Sequence, residues 1–147
     1  MELADFGFKI GAAVIAGLLI GLEREFQKKH AGLKTNALVS LGAAVFVLAS
    51  LHFEGEEYTD LTRVMGQVVT GIGFLGAGVI LHKGATIEGL TTAATVWCSA
   101  AAGCLAAIGA YWELLILTVL IVFINVFFGF VDDYINKKID QKENSDR

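Results

Sequence analysis

A chain of 147 residues with 55% hydrophobic residues, 18% charged residues and no proline, at a mean hydropathy of +0.64, is too apolar for an ordinary soluble domain. Its net charge of −4 is small and unevenly spread, which excludes the basic surface that a nucleic-acid partner needs. The composition is that of a membrane protein whose first partner is the lipid bilayer.

Apolar runs of bilayer-crossing length, roughly 17 to 25 residues, extend from Phe6 to Leu22, Asn36 to Phe53, Val64 to Leu81, Thr91 to Ala110 and Tyr111 to Val131. They predict an all-α bundle of five transmembrane helices. The N-terminus, MELADFGFKI, is acidic, unlike the basic start of a cleavable signal, so the first run is expected to be retained. Between the fourth and fifth runs, Gly109 offers a helix end, and Tyr111 with Trp112 suits an aromatic belt. Residues 1–133 are expected to form the transmembrane domain and residues 134–147 a charged cytoplasmic tail.

Orientation follows from lysine and arginine. Arg24, Lys28, Lys29 and Lys34 lie between the first two runs, Lys83 between the third and fourth, and Lys137, Lys138, Lys142 and Arg147 in the tail. With five crossings these share one side. The other side has Lys9 and Arg63 among Glu2, Asp5, Glu54, Glu56, Glu57, Asp60 and Glu113. The N-terminus is therefore expected outside and the C-terminus in the cytoplasm.

The third run, RVMGQVVTGIGFLGAGVILHKG, holds Gly66, Gly71, Gly73, Gly76 and Gly78. A phosphate loop would need GK[ST] after its glycines, and GVIL stands there instead. In lipid, helices associate by close packing, which small residues permit. Gly17 and Gly21 in the first run, spaced G-x-x-x-G like Gly7 and Gly11, and Gly71, Gly73, Gly76 and Gly78 in the third therefore read as helix-packing positions; some of them instead bare the backbone to a ligand or permit a hinge.

Polar residues at membrane depth are costly unless paired or facing a cavity. Arg63, Gln67 and Thr70 fall with Asp60 within about 80° on one helical face, a stripe descending from the outer surface. Thr91, Thr92, Thr95 and Ser99 make a second stripe from the inner surface, for which bonding back to their own helix is the simpler alternative. Asn125 reads as an interhelical hydrogen bond. Cys98 and Cys104, about 120° apart around one helix, cannot bridge each other and read as small packed side chains. His30, His52 and His82 stand in separate loops with no nucleophile or orienting partner, so no enzyme is expected.

The blocks GLLIGLERE (Gly17 to Glu25), AGLKTNALVSLGAA (Ala31 to Ala44), QVVTGIGFLGAGVIL (Gln67 to Leu81) and GLTTAATVW (Gly89 to Trp97) resemble the signature blocks of the MgtC/SapB family of bacterial inner-membrane proteins, in the same order. The closing segment DDYINKKIDQKENSDR is too small to fold alone, so the likeness is to the short, SapB-like form without a soluble C-terminal domain. The resemblance implies localisation in the inner membrane and a link to magnesium limitation and survival inside host cells. For one branch of the family it implies inhibition of the membrane ATP synthase.

Residues and resemblance meet at the cytoplasmic side, where Glu23, Arg24, Asn36 and Thr92 are expected to gather. Glu23 and Arg24 form an ion pair there, or Glu23 offers a carboxylate to a hydrated cation. The expected function is a carrier of a divalent cation or small solute, with Mg2+ as ligand or substrate and no other cofactor. The alternative is a non-transporting regulator that binds other membrane proteins. Small-residue faces in excess of what five helices need, with chains sharing one orientation, predict a parallel homodimer.

Overall fold

The computed structural model describes residues 2–53, 55, 60–83 and 86–145. Glu54, Glu56, Glu57 and Arg147, counted above in the charge balance, lie outside the described residues. The elements run α1 (Leu3–Phe26), α2 (Leu33–Leu51), α3 (Leu61–Val79), β1 (Leu81–Lys83), β2 (Thr86–Glu88), α4 (Leu90–Ile108) and α5 (Tyr111–Ser145). Four helices, α1, α2, α4 and the stretch Tyr111–Asp132 of α5, are long and apolar enough to cross a membrane. The chain is a multi-pass membrane protein. In α3, glycines together with Arg63 and Gln67 dilute the apolar character, and α3 is not among those four.

Local chemistry sets the boundaries. Asp60 caps α3 by accepting the Thr62 N–H at 2.9 Å and its hydroxyl at 2.6 Å, and these bonds hold the Asp60 carboxyl below the usual carboxylate range. Gly109, at φ 79°, ends α4, and the Ala110 N–H reaches back to the Leu105 carbonyl at 3.0 Å. Two features differ from the sequence expectation. The third helix stops at Val79, and a short antiparallel hairpin follows, pairing Leu81 with Glu88, His82 with Ile87 and Lys83 with Thr86. The charged tail continues α5, a helix of 35 residues, with Lys138 over the Tyr134 ring.

The centre of the bundle is α1, α2 and α4 packed on one another; α3 leans mainly on α4, and α5 lies across α1 and α4. Small side chains fill this centre: Ala13, Ala44, Ala102, Ala106 and Ala107 are fully buried. Between the helices themselves, backbones approach most closely at three glycines. A Cβ on Gly17 would stand 2.6 Å from the Asn36 carbonyl oxygen, one on Gly21 2.7 Å from Leu33 Cα, and one on Gly103 would collide with the Ser40 carbonyl. Gly76 makes ordinary contact with Ala93, whereas a Cβ at Gly71, Gly73 or Gly78 would meet nothing within 4 Å. Gly7 and Gly11 are likewise open.

This contrast gives a prediction for the fold. Gly17→Ala and Gly103→Ala each push a methyl into a neighbouring backbone and should each cost about 1 to 3 kcal/mol. Gly71→Ala meets open space and gains up to about 1 kcal/mol of helix propensity. Unfolding of the detergent-solubilised protein measures the difference, and equal losses at all three positions would contradict the packing described.

Candidate functional site

One end of the bundle gathers the finish of α1, the start of α2, the start of α4 and the middle of α5. Burial there is unusual for polar residues. Arg24 is 2% exposed, Glu23 7%, Asn36 0%, Thr92 4%, Thr95 3% and Asn125 8%, and each must find partners or cost free energy.

Most of them do. Arg24 Nη1 donates to Thr95 Oγ1 at 3.4 Å and Nη2 to Gln27 Oε1 at 3.2 Å. Gln27 Nε2 donates to the Asn125 carbonyl at 3.3 Å, and the Asn125 amide returns to Thr95 Oγ1 at 3.4 Å. Thr95 itself donates to the Thr91 carbonyl at 2.9 Å. The chain of contacts therefore ties α1, α4 and α5 together.

A second branch runs through α2. Asn36 Nδ2 donates to the Ala31 and Gly32 carbonyls at 2.6 and 3.0 Å, while its Oδ1 accepts the Ser99 hydroxyl at 2.7 Å. This amide holds the α1–α2 loop, in which Lys28 and Ala31 adopt positive φ of 53° and 59°. Ser40 donates to the Ala13 carbonyl at 2.8 Å.

The exception is the pair at the end of α1. Arg24 Nε lies 3.3 Å from Glu23 Oε2 without the alignment of a hydrogen bond, and the Glu23 oxygens are closed to solvent, with the Asn125 side chain as the other polar group on the carboxylate. An ion pair in this position gains Coulomb energy but loses hydration that the attraction repays only with good geometry.

Beside the pair is an open groove of about 1660 Å³ between α1, the start of α4 and α5. Its walls are apolar, with Leu19, Leu22 and Phe26 facing Val119, Val122 and Phe123. Its polar lining includes Glu23, Arg24, Gln27, Thr91, Thr92 and Asn125, with Lys29 and Asp132 also among the charged residues.

Of the residues singled out from sequence, Glu23, Arg24, Thr91, Thr92 and Thr95 come together here, with Asn36 joined through Ser99. Arg63, Gln67 and Thr70 do not reach this site: they are exposed on α3, where the Thr70 hydroxyl donates to the Gly66 carbonyl at 2.9 Å. The two polar stripes thus do not face a common cavity. Lys9, at the opposite end of α1, pairs with Asp5 at 3.0 Å. Sequence reasoning missed Gln27 and Ser40. Gln27 stands three residues after Arg24 on the same face, which is the signal that points to it.

Comparison with known proteins gives the family of the chain. The MgtC family model matches residues 10–134, which include every residue of the polar network. The chain belongs to the MgtC family. It is 47% identical over 115 residues to Protein MgtC of Salmonella typhimurium, covering 78% of this chain and 48% of that protein. It is also 47% identical over 123 residues to Protein MgtC of Brucella abortus, covering 84% of this chain and 51% of that one. The chain thus spans about half the length of these MgtC relatives. No solved structure matches it significantly.

The buried pair gives a prediction about coupling. Arg24→Met leaves the Glu23 carboxylate uncompensated and should cost about 3 to 5 kcal/mol, whereas Glu23→Gln with Arg24→Met should recover most of that loss. Additive losses in unfolding measurements on the two single variants and the double variant would show that the pair is not coupled.

Proposed function

We propose that this chain is a non-transporting regulator in the bacterial inner membrane that acts in magnesium homeostasis. It binds a ligand in the groove between α1, α4 and α5, and a membrane-protein partner or a second copy of itself along α3. Family membership supports the link to magnesium.

The observation that carries the reading is where the polar groups stop. Among the described residues, the deepest hydrogen bonds between helices are Ser99 to Asn36 and Ser40 to Ala13. Beyond them the centre is Ala44, Val47, Leu48, Ala102, Ala106 and Ala107, none more than 1% exposed. Of the buried polar side chains there, Thr118 bonds back to the Leu114 carbonyl at 2.8 Å and Ser50 stands at the far end of α2, so a hydrated ion has no continuous row of polar groups to follow through that half. The Arg24 guanidinium beside Glu23 also opposes a divalent cation at the carboxylate. On α3, the open positions at Gly71 and Gly78 fall with exposed Phe74 and Leu75 within about 100° of one another, a face suited to another helix.

The carrier reading has one observation in its favour, the volume of the groove, and flux separates the two. Vesicles containing only the purified chain should take up magnesium, protons and small anions no faster than protein-free vesicles. Uptake that Glu23→Gln abolishes would establish a carrier using this site instead.

The reading also includes five crossings with the N-terminus outside, since α3 spans about 28 Å at 1.5 Å per residue and the basic loops then share the cytoplasmic side. In a background with Cys98 and Cys104 replaced by Ala, Asp60→Cys should react with an impermeant thiol reagent in intact cells, and Lys29→Cys only after the membrane is opened. The reverse pattern would overturn the orientation.

A further inference from the structure

Helix α3 is held to the bundle along one side. Ile72 and Gly76 are its buried residues, and the opposite side, centred on Gln67, is exposed. That side is unlike a lipid face. On α5 the exposed positions include Leu115, Ile116, Leu120 and Phe123, whereas α3 turns outward Arg63, Gln67, Phe74 and Gly78, with Asp60 at its cap. Gln67 makes no hydrogen bond among the described residues, and an amide left unpaired in hydrocarbon is costly.

The positions on this face complement one another. At roughly 100° per residue, Asp60 and Gly78 lie about 20° to one side of Gln67 and Gly71 about 40°, while Phe74 lies about 20° and Arg63 about 40° to the other side. Copies of one chain in a membrane share an orientation, so two α3 helices pair in parallel about a twofold axis along the membrane normal. Such an axis sets each residue against those displaced to the other side at a similar height.

With Gln67 at the axis, its amide meets its own copy, and a primary amide carries both the donors and the acceptor that the pair needs. Phe74, which is 83% exposed, meets Gly78 of the other copy, with Gly71 at the edge of the same seat; a Cβ at either glycine would meet nothing within 4 Å. Arg63 meets the Asp60 carboxylate of the other copy, at the start of the helix. Donor and acceptor, ring and seat, cation and anion thus stand on one face in the positions that a second copy of that face requires.

We propose that a second copy of this chain covers α3, in a parallel dimer whose axis passes beside Gln67. The inference rests on the reading in which α3 crosses the bilayer and presents this face to a protein, and it names that protein. A partner of different sequence would have to bring its own amide, glycine seat and carboxylate at the same heights.

The test is disulfide cross-linking of the full chain in native membranes, in a background with Cys98 and Cys104 replaced by Ala. On mild oxidation Gln67→Cys should give a product of twice the chain mass, and Ile116→Cys, on the exposed side of α5, severalfold less of it. Light scattering of the wild-type chain in detergent should report a dimer without any substitution. Phe74→Ala, Gly78→Leu and Gln67→Leu should each raise its dissociation constant about threefold to tenfold. None of the three should reduce helical content, because all three positions are exposed in the single chain.

Equal cross-linking from Gln67→Cys and Ile116→Cys would overturn the inference. So would a wild-type chain that is monomeric at every concentration, a dimer that neither Phe74→Ala nor Gly78→Leu weakens, or a Gln67→Cys product whose second chain is a different protein. Magnesium uptake by vesicles containing the wild-type chain would overturn the regulator reading and leave the cross-linking result standing.

Discussion

The close seating of α2 between α1 and α4 is the constraint on which the rest of the structure depends. Gly17 and Gly21 let α1 approach the first turns of α2, and Gly103 lets α4 meet the Ser40 carbonyl from the other side. In lipid no hydrophobic gain drives this association, so backbone proximity and the dispersion contacts it permits must supply it. Once α2 is held this way, Asn36 and Ser40 are fully buried. Their hydrogen bonds to the α1–α2 loop, to Ser99 and to the Ala13 carbonyl then follow from the cost of leaving a buried polar group unpaired.

The bundle divides into two halves as a result. One is an alanine-rich, closely packed centre in which Thr118 and Ser50 are the isolated buried hydroxyls among the described residues. The other is a polar network joining four helices, ending in a carboxylate and a guanidinium that neutralise each other without sharing a hydrogen bond. A protein that only needed a stable bundle would gain from replacing that pair with apolar side chains. Its position beside a groove, at the end where α1 finishes and α4 begins, is the physical argument for a ligand there and for a regulator rather than a conduit.

Helical periodicity made part of this legible in advance. The spacing of Gly17 and Gly21 marked a packing face because one turn separates them, and Glu23, Arg24, Asn36 and Thr92 lay at helix ends that the charge distribution put on one side. Periodicity states which residues share a face, and it is silent on what the face meets. Arg63, Gln67 and Thr70 share a face of α3, but that face is exposed; Gly71, Gly73 and Gly78 look like Gly17 in sequence, yet a Cβ on any of them would meet nothing within 4 Å. The hairpin at Leu81–Lys83 and Thr86–Glu88 was not legible, because strands of three residues carry too little alternation to register. Gln27 escaped notice for a different reason: it is the C-cap residue of α1, directly after Phe26, where a polar residue is ordinary.

The native Cys104 allows the most direct test of the account. It lies in the alanine-rich half of α4, 6% exposed and packed in the core, and replacing Cys98 by Ala leaves it the sole thiol in the chain. Reactivity toward a small water-soluble thiol reagent should be measured from each side of reconstituted vesicles, before and after denaturation. The account predicts no modification from either side while the protein is folded and full modification once it is unfolded. Modification of the folded protein from either side would place water in the half of the bundle described as dry, and would contradict the claim that no polar path crosses it.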